Sequence, residues 1–505
     1  MSKYLYGASV QGIQGFIFET NKLREIAGAS ELIDQICTNE FKNHIENKGV
    51  DFHEKAKLIM AAGNIKYIFD NAKDCQVVVN DFAKNITTKA PGITISQAVV
   101  SFDSEEPSKN DIDKLEDRLK TQRVRAVKQH GLGWMISEHS RATGNSGVMW
   151  KNGVVIDKSQ YVKLGTASEA RNNLMEKLVG DYRREDRYYP FEMDHLVDGK
   201  QQQWIAVVHA DGNSLGKLIQ KMVKTIEKEG KSVKGGFSLF SKQLNMATIQ
   251  AAKHAFDEVV KPSYEKTLVD SNNNRLRLPI RPVVIGGDDL TVIIKGDIAV
   301  DFTNSYLNAF KNKTSKLFEG LVSEYGLSDF KDGLTACAGI AYVKPSYPFH
   351  YAIDLAEGLC SYSKKVAKEI NEVNVPSCLM FHKVQSSFIE DYNTAIEREL
   401  KAGDVYLNYG PYTTDEMCTE LPQLSVLKEQ VKQVKRADSP KSNLRQWLSE
   451  LSVSDETAFQ LMERTKTIHG KYIDKFDLNN CIKESVDGEK RTHIYDILTL
   501  ASIEK

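Results

Sequence analysis

The sequence lacks the cysteine spacing of a metal site or a disulfide framework. Its seven cysteines are scattered and odd in number, and no two of them form a Cys-x-x-Cys pair. Such pairs are the usual source of structural zinc ligands. Disulfide frameworks, built from an even number of cysteines, are typical of small secreted domains. We therefore expect no disulfide framework and no structural zinc site, and most thiols should be small buried apolar groups.

Long hydrophobic runs and an excess of one charge are also missing. No segment approaches the roughly 18 apolar residues that span a bilayer, and residues 1–20 show no charged segment followed by an apolar run. The formal net charge of -1 argues against a protein whose whole surface binds nucleic acid, although local basic grooves stay possible. The sequence predicts a cytoplasmic protein without a membrane partner.

The order of the elements predicts a repeated α+β fold. A chain of 505 residues is too long for one hydrophobic core. Residues 1–105 and residues 204–385 both follow the β-α-β-β-α-β order of ferredoxin-like domains. Residues 106–203 are predicted to form a mostly helical insert. Residues 386–505 show no convincing strand patterns and are predicted to form a helical C-terminal domain. The first copy should contain a helix over residues 15–45, broken near Ala27-Gly28.

The two copies differ in the residues that could carry chemistry. Residues 10–12 align with residues 210–212 at the end of the first strand, and residues 61–65 align with residues 286–290 at the hairpin. Only the second copy has carboxylates at these places: Asp211, Asp288 and Asp289 stand where the first copy has Gln11, Gly63 and Asn64. One copy is therefore expected to be active and the other idle.

Three carboxylates at one edge of a sheet predict a divalent metal site. The first strand and the hairpin are neighbours in this fold, so Asp211 should lie beside Asp288 and Asp289. Mg²⁺ or Mn²⁺ would compensate their repulsion, and two such ions can activate a hydroxyl and stabilise a pyrophosphate leaving group. Gly286 and Gly287 would allow a tight turn and the close approach of a nucleotide. Without Asp211, the four residues Gly286–Asp289 could equally be an ordinary hairpin turn with no catalytic role.

Other residues near this edge suit phosphate binding. Gly212, Asn213 and Ser214 open a predicted helix, where Asn213 or Ser214 could cap the free amides or the amides could hold triphosphate oxygens. Lys364 lies on the helix after strand 334–343, and either a phosphate contact or a solvated helix face would explain it. His209 is expected to be a packed histidine rather than a ligand.

Several segments resemble the active palm of the large subunit of type III CRISPR complexes. They are residues 209–214 (HADGNS), 281–290 (RPVVIGGDDL), 338–341 (AGIA) and 347–349 (YPF), followed by the helix with Lys364. Residues 12–18 (GIQGFIF) are similar to the family's first, degenerate palm. Many members also have a His-Asp nuclease domain and zinc cysteines in the insert. The chain contains no His-Asp dipeptide, and residues 139–150 contain no cysteine, so we expect neither feature.

The resemblance implies a nucleotide-condensing enzyme of antiviral defence. It implies that ATP binds in the second palm and is joined into cyclic oligoadenylate in the presence of Mg²⁺ or Mn²⁺. Asp211 and Asp288 would be metal ligands, and Asp289 would be a supporting ligand. Gly286 and Gly287 would form the floor under the nucleotide. Ser214 and Lys364 would contact phosphates. Partners would be other CRISPR subunits and guide or target RNA, or further copies of the chain if it works alone.

Two other functions remain open from the sequence. Palms and metal pairs also serve nucleic-acid polymerases, with or without a template. A scaffold subunit could instead bind nucleotide without turnover and hold other subunits through its helical tail. The three carboxylates argue against the scaffold, because the first copy shows what an idle site contains.

Overall fold

The computed structural model describes most of the chain. The described residues are 2–61, 63–124, 136–183, 185–197, 203–271, 276–372, 374–385, 392, 398–485 and 488–503. No helix among them is both long enough and apolar enough to cross a membrane.

The first domain is a four-stranded antiparallel sheet with helices on one face. Its strands are β1 (Lys3–Gln11), β2 (Lys57–Ala61), β3 (Asn64–Phe69) and β4 (Thr94–Phe102). Its helices are α1 (Ile13–Ile17), α2 (Leu23–Gln35), α3 (Phe41–Asn47) and α4 (Ala72–Lys89). The strand order β2-β3-β1-β4 and the antiparallel pairing are those of a ferredoxin-like fold, as the sequence predicts.

The predicted helix break near Ala27-Gly28 is wrong. The chain turns instead between α1 and α2, and α2 continues through both residues. Gly28 serves close packing, because a Cβ there would lie 1.9 Å from the carbonyl oxygen of Lys163 on the neighbouring helix of the insert. The glycine that suggests a break in a single helix is thus required by a second helix.

The insert contains a β-hairpin as well as helices. Its elements are α5 (Lys109–Val124), β5 (Gly147–Lys151), β6 (Val154–Asp157) and α6 (Lys158–Val179). Leu115 and Leu119 of α5 pack on the face of the first sheet that α2 and α4 leave open, against Leu5 and Val100. Helix α6 packs along α2 and so ties the insert to the first domain.

The second domain repeats the topology of the first and adds strands at one edge. Its strands are β7 (Ile205–Gly212), β8 (Ile280–Gly286), β9 (Asp289–Lys295), β10 (Ala336–Val343) and β11 (Cys378–Lys383). Its helices are α7 (Leu215–Lys228), α8 (Val233–Ala255), α9 (Lys261–Ser271), α10 (Ala299–Leu317), α11 (Glu319–Tyr325) and α12 (Phe349–Ile370). The order β10-β7-β9-β8 matches β4-β1-β3-β2, and β11 lies parallel to β10.

Alternation along β7 explains how the two domains meet. Ala206 and Val208 point to one face of the sheet, into the core that α8 and α10 share. Ile205 and Val207 point to the other face, into a core that includes Ile26 and other residues of α2. Because side chains alternate along a strand, a nearly continuous apolar sequence serves both cores. Val283 of β8 and Ile293 of β9 belong to the same second core, so the hairpin β8–β9 also packs against the first domain.

The C-terminal region is largely helical, as predicted, but it also contains short strands. Its helices are α13 (Leu424–Val434), α14 (Lys441–Glu450), α15 (Asp455–Ile468) and α16 (Ile494–Ile503). Its strands are β12 (Lys401–Ala402), β13 (Val405–Tyr406), β14 (Tyr412–Thr413), β15 (Lys483–Glu484) and β16 (Lys490–Arg491). Strand β14 pairs with β11 at the edge of the second sheet, and the other four form a small sheet. Two residues are too few to show an alternating pattern.

Asp496 on α16 gives the C-terminal junction a pH dependence. This fully buried carboxylate accepts hydrogen bonds from the Tyr412 hydroxyl (2.7 Å) and the Tyr409 amide (3.0 Å), and burial raises its pKa to about 7. The pKa is about 4 in the unfolded chain, so the folded chain holds the extra proton between these values. The stabilisation is present at low pH and is lost as pH rises through about 7.

We expect Asp496→Asn to remove this dependence, because one amide oxygen can accept both hydrogen bonds without a charge. Urea unfolding from about pH 4 to pH 7 should show wild type losing up to about 1.4 kcal/mol per pH unit relative to the variant. Identical pH profiles for the two proteins would contradict the assignment.

Candidate active site

The Gly286–Asp289 segment forms a two-residue hairpin turn at the end of the second sheet. Gly286 pairs with Asp289, which leaves Gly287 and Asp288 as the central turn residues. Gly287 has a φ of 61°, the left-handed value that favours glycine at the first central position of such a turn. Helix α8 holds the turn from behind: the Thr248 hydroxyl donates to the Gly287 carbonyl (2.6 Å), and Asn245 Oδ1 accepts from the Gly287 amide (3.3 Å).

The structure brings Asp211, Asp288 and Asp289 together. Their ligand oxygens all lie within 4.8 Å of one another, and no other group of three potential ligands this close occurs in the described parts of the chain. Gly212 follows Asp211 for a steric reason, since a Cβ there would lie 3.0 Å from Cβ of Asp288. Strand β7 and the β8–β9 turn thus form one carboxylate cluster, in the place that the sequence predicts.

Burial and mutual repulsion make this cluster electrostatically unusual. Burial first, and then the neighbouring carboxylates, raise the pKa of Asp288 to about 7 and that of Asp289 to about 8. Burial also acts to raise the pKa of Asp211, but the attraction and hydrogen bond of the Lys364 ammonium outweigh it, and the pKa is lowered. One ammonium beside three carboxylates leaves an excess of acidic oxygens, which a divalent cation would neutralise.

Lys364 reaches the cluster from helix α12. Its ammonium donates to Asp211 Oδ2 and to the Gly212 carbonyl (2.8 Å), and its side chain is only 16% exposed. A solvated helix face therefore does not describe this residue. A phosphate contact stays a prediction, and the position within reach of Asp211 is compatible with it.

The segment from Gly212 to Ser214 differs from a simple helix cap. Ser214 adopts a left-handed φ of 57° and makes no side-chain cap to α7 with any described residue. The buried side-chain amide of Asn213 instead donates to Thr335 Oγ1 (3.0 Å), next to β10. The expectation that Asn213 or Ser214 caps the helix is therefore wrong. The uncapped amides at the start of α7 suit an anion, and Asn213 fixes the loop that presents them.

A cavity of about 400 Å³ lies between the candidate site and the first domain. Its lining includes Asp289, Glu357 and His209 from the second domain and Gln14, Phe18 and Lys177 from the first domain and the insert. Its size falls within the range of small-molecule sites. Burial lowers the pKa of His209 to about 4, so this half-buried ring is neutral at pH 7. It lies at the cavity rather than wholly in the core.

A side-chain hydrogen bond between Gln14 and Glu357 links the two domains at this cavity. Gln14 Nε2 donates to Glu357 Oε1, and burial, Asp354 and Asp211 raise the pKa of Glu357 to about 7. Neither residue is among those that the sequence predicts for the site, and the same holds for Asn245 and Thr248. Only Glu357 had a local signal, since seven residues before Lys364 is two helical turns on the same face.

The register of the first sheet corrects the predicted alignment of the two copies. Ala8 pairs with Ile65 as Ala210 pairs with Leu290, so the residue matching Asp211 is Ser9 and not Gln11. Ser9 donates to Asn64 Oδ1 (3.0 Å) and accepts from the guanidinium of Arg123 (3.2 Å). A cationic side chain therefore lies where the second copy gathers carboxylates.

A family model matches the domain that contains this cluster. Residues 204–374 match the model described as "Cas10/Cmr2, second palm domain". The matched residues are those of the second domain, with all of its strands except β11. The resemblance seen in the sequence is thus confirmed for the second palm, and the carboxylate cluster lies wholly within it.

Solved structures extend the likeness in fold to nearly the whole chain. A Csm1–Csm4 cassette in complex with cA4 is 13% identical, with a TM-score of 0.56, over 100% of this chain and 70% of that one. The Csm1–Csm4 subcomplex of the type III-A CRISPR-Csm interference complex is 12% identical, with a TM-score of 0.60 and the same coverage. A Csm1–Csm4 cassette in complex with one ATP is 11% identical, with a TM-score of 0.57. The comparison with curated proteins finds no match.

Proposed function

We propose that this chain is a metal-dependent nucleotidyl transferase that condenses ATP into cyclic oligoadenylate and releases pyrophosphate, as part of a cytoplasmic type III CRISPR defence. The observation that carries the proposal is the convergence of Asp211, Asp288 and Asp289 within 4.8 Å in the second palm, with no comparable cluster among the described residues of the first. The similar Csm1–Csm4 cassettes bound to ATP and to cA4 support the same substrate and product class.

The three carboxylates fit two Mg²⁺ or Mn²⁺ ions. Their oxygens are the hard ligands that these ions prefer. Burial and the neighbouring carboxylates raise the pKa values of Asp288 and Asp289, and a bound cation would oppose both causes. Bound there, the ions would supply Lewis-acid activation of a hydroxyl and neutralise charge on the triphosphate. Asp211 and Asp288 are proposed as the principal ligands, with Asp289 in support.

The remaining residues would bind and orient the nucleotides. The Asn213 amide donates to the Thr335 carbonyl (2.9 Å), which fixes the loop formed with Gly212 and Ser214. The free amides that this loop presents at the start of α7 and the ammonium of Lys364 would hold phosphate oxygens. Gly286 and Gly287 would form the floor beneath one nucleotide, whose base could enter the cavity between the palms. Holding two nucleotides side by side would place a ribose 3′-hydroxyl for attack on an α-phosphorus.

The bond changes of the proposed reaction are simple. A new bond forms between the 3′-oxygen and the α-phosphorus, the bond to the pyrophosphate oxygen breaks, and the hydroxyl proton leaves to solvent. Repeated transfer lengthens the oligoadenylate. Attack by its terminal 3′-hydroxyl on the α-phosphorus of its own 5′-triphosphate then closes the ring and releases the last pyrophosphate.

The test is the identity of the product. The purified chain, alone and with a type III guide–target RNA complex, is incubated with each labelled nucleoside triphosphate and Mn²⁺ or Mg²⁺, and products are separated by mass. A cyclic oligoadenylate supports the proposal. A long linear product would favour the polymerase, and absence of turnover under all conditions would favour the scaffold.

Metal binding should also be measurable as a gain in stability without any turnover. Mn²⁺ relieves carboxylate repulsion only in the folded chain, so we expect it to raise the melting temperature of wild type by several degrees at about 100 times its Kd. Asp288→Asn with Asp289→Asn should remove the response and, in EDTA, should melt above wild type because the repulsion is gone. An equal response in both proteins would contradict metal binding at this cluster.

A further inference from the structure

Helix α7 presents a row of lysines beside the candidate active site. Lys217, Lys221, Lys224 and Lys228 are all exposed. Their spacing of four, three and four residues places them within an arc of about 60° on the helix, along roughly 16 Å. The opposite face, with Met222, Val223 and Ile226, is buried in the protein core. The lysine row begins one turn after the strand that carries Asp211.

The charge on this row is largely uncompensated. Lys217 pairs with Glu372, but both side chains are about 70% exposed, and such surface pairs contribute little. Lys221, Lys224 and Lys228 have no carboxylate within 4.0 Å among the residues that the structure describes. Glu227, the acidic residue of α7, accepts from the Lys109 amide (3.1 Å) at the side of the row.

The composition of the row favours one class of partner. Protein interfaces are enriched in aromatic residues, Met and Arg and depleted in Lys, and no large hydrophobic residue of α7 is exposed. Insertion into a membrane is excluded for this helix because its apolar face is already buried. Flexible point charges in a line suit phosphates that follow one another along a strand.

We propose that the α7 row of Lys221, Lys224 and Lys228 binds the sugar–phosphate backbone of a nucleic-acid strand, independently of base sequence. The strand would run along α7 and pass close to the nucleotide site at its beginning. Backbone lysines alone do not separate RNA from DNA, so both are arms of the test. The proposal rests on the surface of α7 and not on the proposed reaction.

The test measures the binding of a labelled oligouridylate of about 20 nucleotides, and of its oligothymidylate counterpart, by fluorescence anisotropy at several salt concentrations. Lys221→Glu with Lys224→Glu and Lys228→Glu should weaken binding at least about 10-fold near 50 mM salt. The dependence of log K on log salt should become shallower by about 2, for three phosphate contacts on a single strand.

A matched variant separates local contacts from net charge. Lys73→Glu with Lys84→Glu and Lys266→Glu changes the charge equally at three exposed lysines away from α7 and should bind as wild type does. An equal loss in both variants, or no binding by wild type, would overturn the proposal. A milder triple alanine variant with unchanged melting temperature must show the same shift in salt dependence.

The carboxylate variant keeps this proposal distinct from the proposed function. Asp288→Ala with Asp289→Ala should bind the oligonucleotides as wild type does, even if no transferase activity is ever found. Loss of binding in that variant would place the nucleic acid at the carboxylate cluster instead and would overturn the α7 assignment.

Discussion

Asp288→Ala combined with Asp289→Ala is expected to lower the rate of nucleotide condensation by roughly 1,000-fold or more. Both side chains belong to the cluster whose oxygens lie within 4.8 Å, and the change leaves only Asp211, already paired with Lys364. Metal activation contributes several kcal/mol to such reactions, and each 1.36 kcal/mol corresponds to a factor of ten. The measurement is the initial rate of pyrophosphate release at saturating ATP and Mn²⁺.

The first palm offers a matched control for this variant. Ser9 and Asn64 occupy the corresponding places in a sheet of the same topology. Ser9→Ala with Asn64→Ala should change the rate by less than about threefold, because Ser9 bonds to Asn64 and to the Arg123 guanidinium of the insert and neither substituted residue belongs to the second palm. Comparable losses in the two variants would show that the palms act as one unit and would contradict the assignment of one active and one idle copy.

The fold and the carboxylate cluster could be predicted because their signals are local. The apolar strands around Gly286–Asp289 mark a hairpin, and the β-α-β-β-α-β order then places the end of the first strand beside it. Repetition strengthened the inference, since the first palm has the same elements without Asp211, Asp288 and Asp289. The residues that could hold metal were therefore predicted together, although they are 77 positions apart.

The residues that support the cluster could not be predicted in the same way. Asn245 and Thr248 contact the turn only because α8 crosses behind it, and Gln14 meets Glu357 only because the palms pack face to face. Nothing in their local sequence differs from an ordinary polar helix face. Such contacts depend on the packing of whole elements, which periodicity does not determine.

Pairing register was the other limit of the sequence. Gln11 and Asp211 are each followed by a glycine, and the sequence alignment matches them for that reason. The hydrogen-bonded pairs of the two sheets instead match Ser9 to Asp211. A shift of two residues keeps every side chain on the same face, so the hydrophobic pattern is satisfied by either alignment. Only the cross-strand partners distinguish them.

Gly339→Ala is expected to have the second large effect, through the packing of α12 rather than through chemistry. Gly339 is buried in β10, and a Cβ there would lie 2.0 Å from the Ala356 carbonyl oxygen and 2.6 Å from the Cys360 amide nitrogen. Backbone atoms cannot rotate away, so α12 must move. Overpacking of this kind costs about 1–3 kcal/mol, occasionally more. Urea unfolding should show this loss of stability.

Movement of α12 should also reach the candidate site, because the same helix carries Glu357 and Lys364. The rate of condensation should therefore fall in the fraction of Gly339→Ala that stays folded, with weaker nucleotide binding. Gly216→Ala is the control: that helical glycine on α7 has open space around its Cβ position, and alanine should be neutral or stabilising by up to about 1 kcal/mol. Full stability in Gly339→Ala would mean that α12 does not lie against β10, and full activity despite reduced stability would separate α12 from the chemistry.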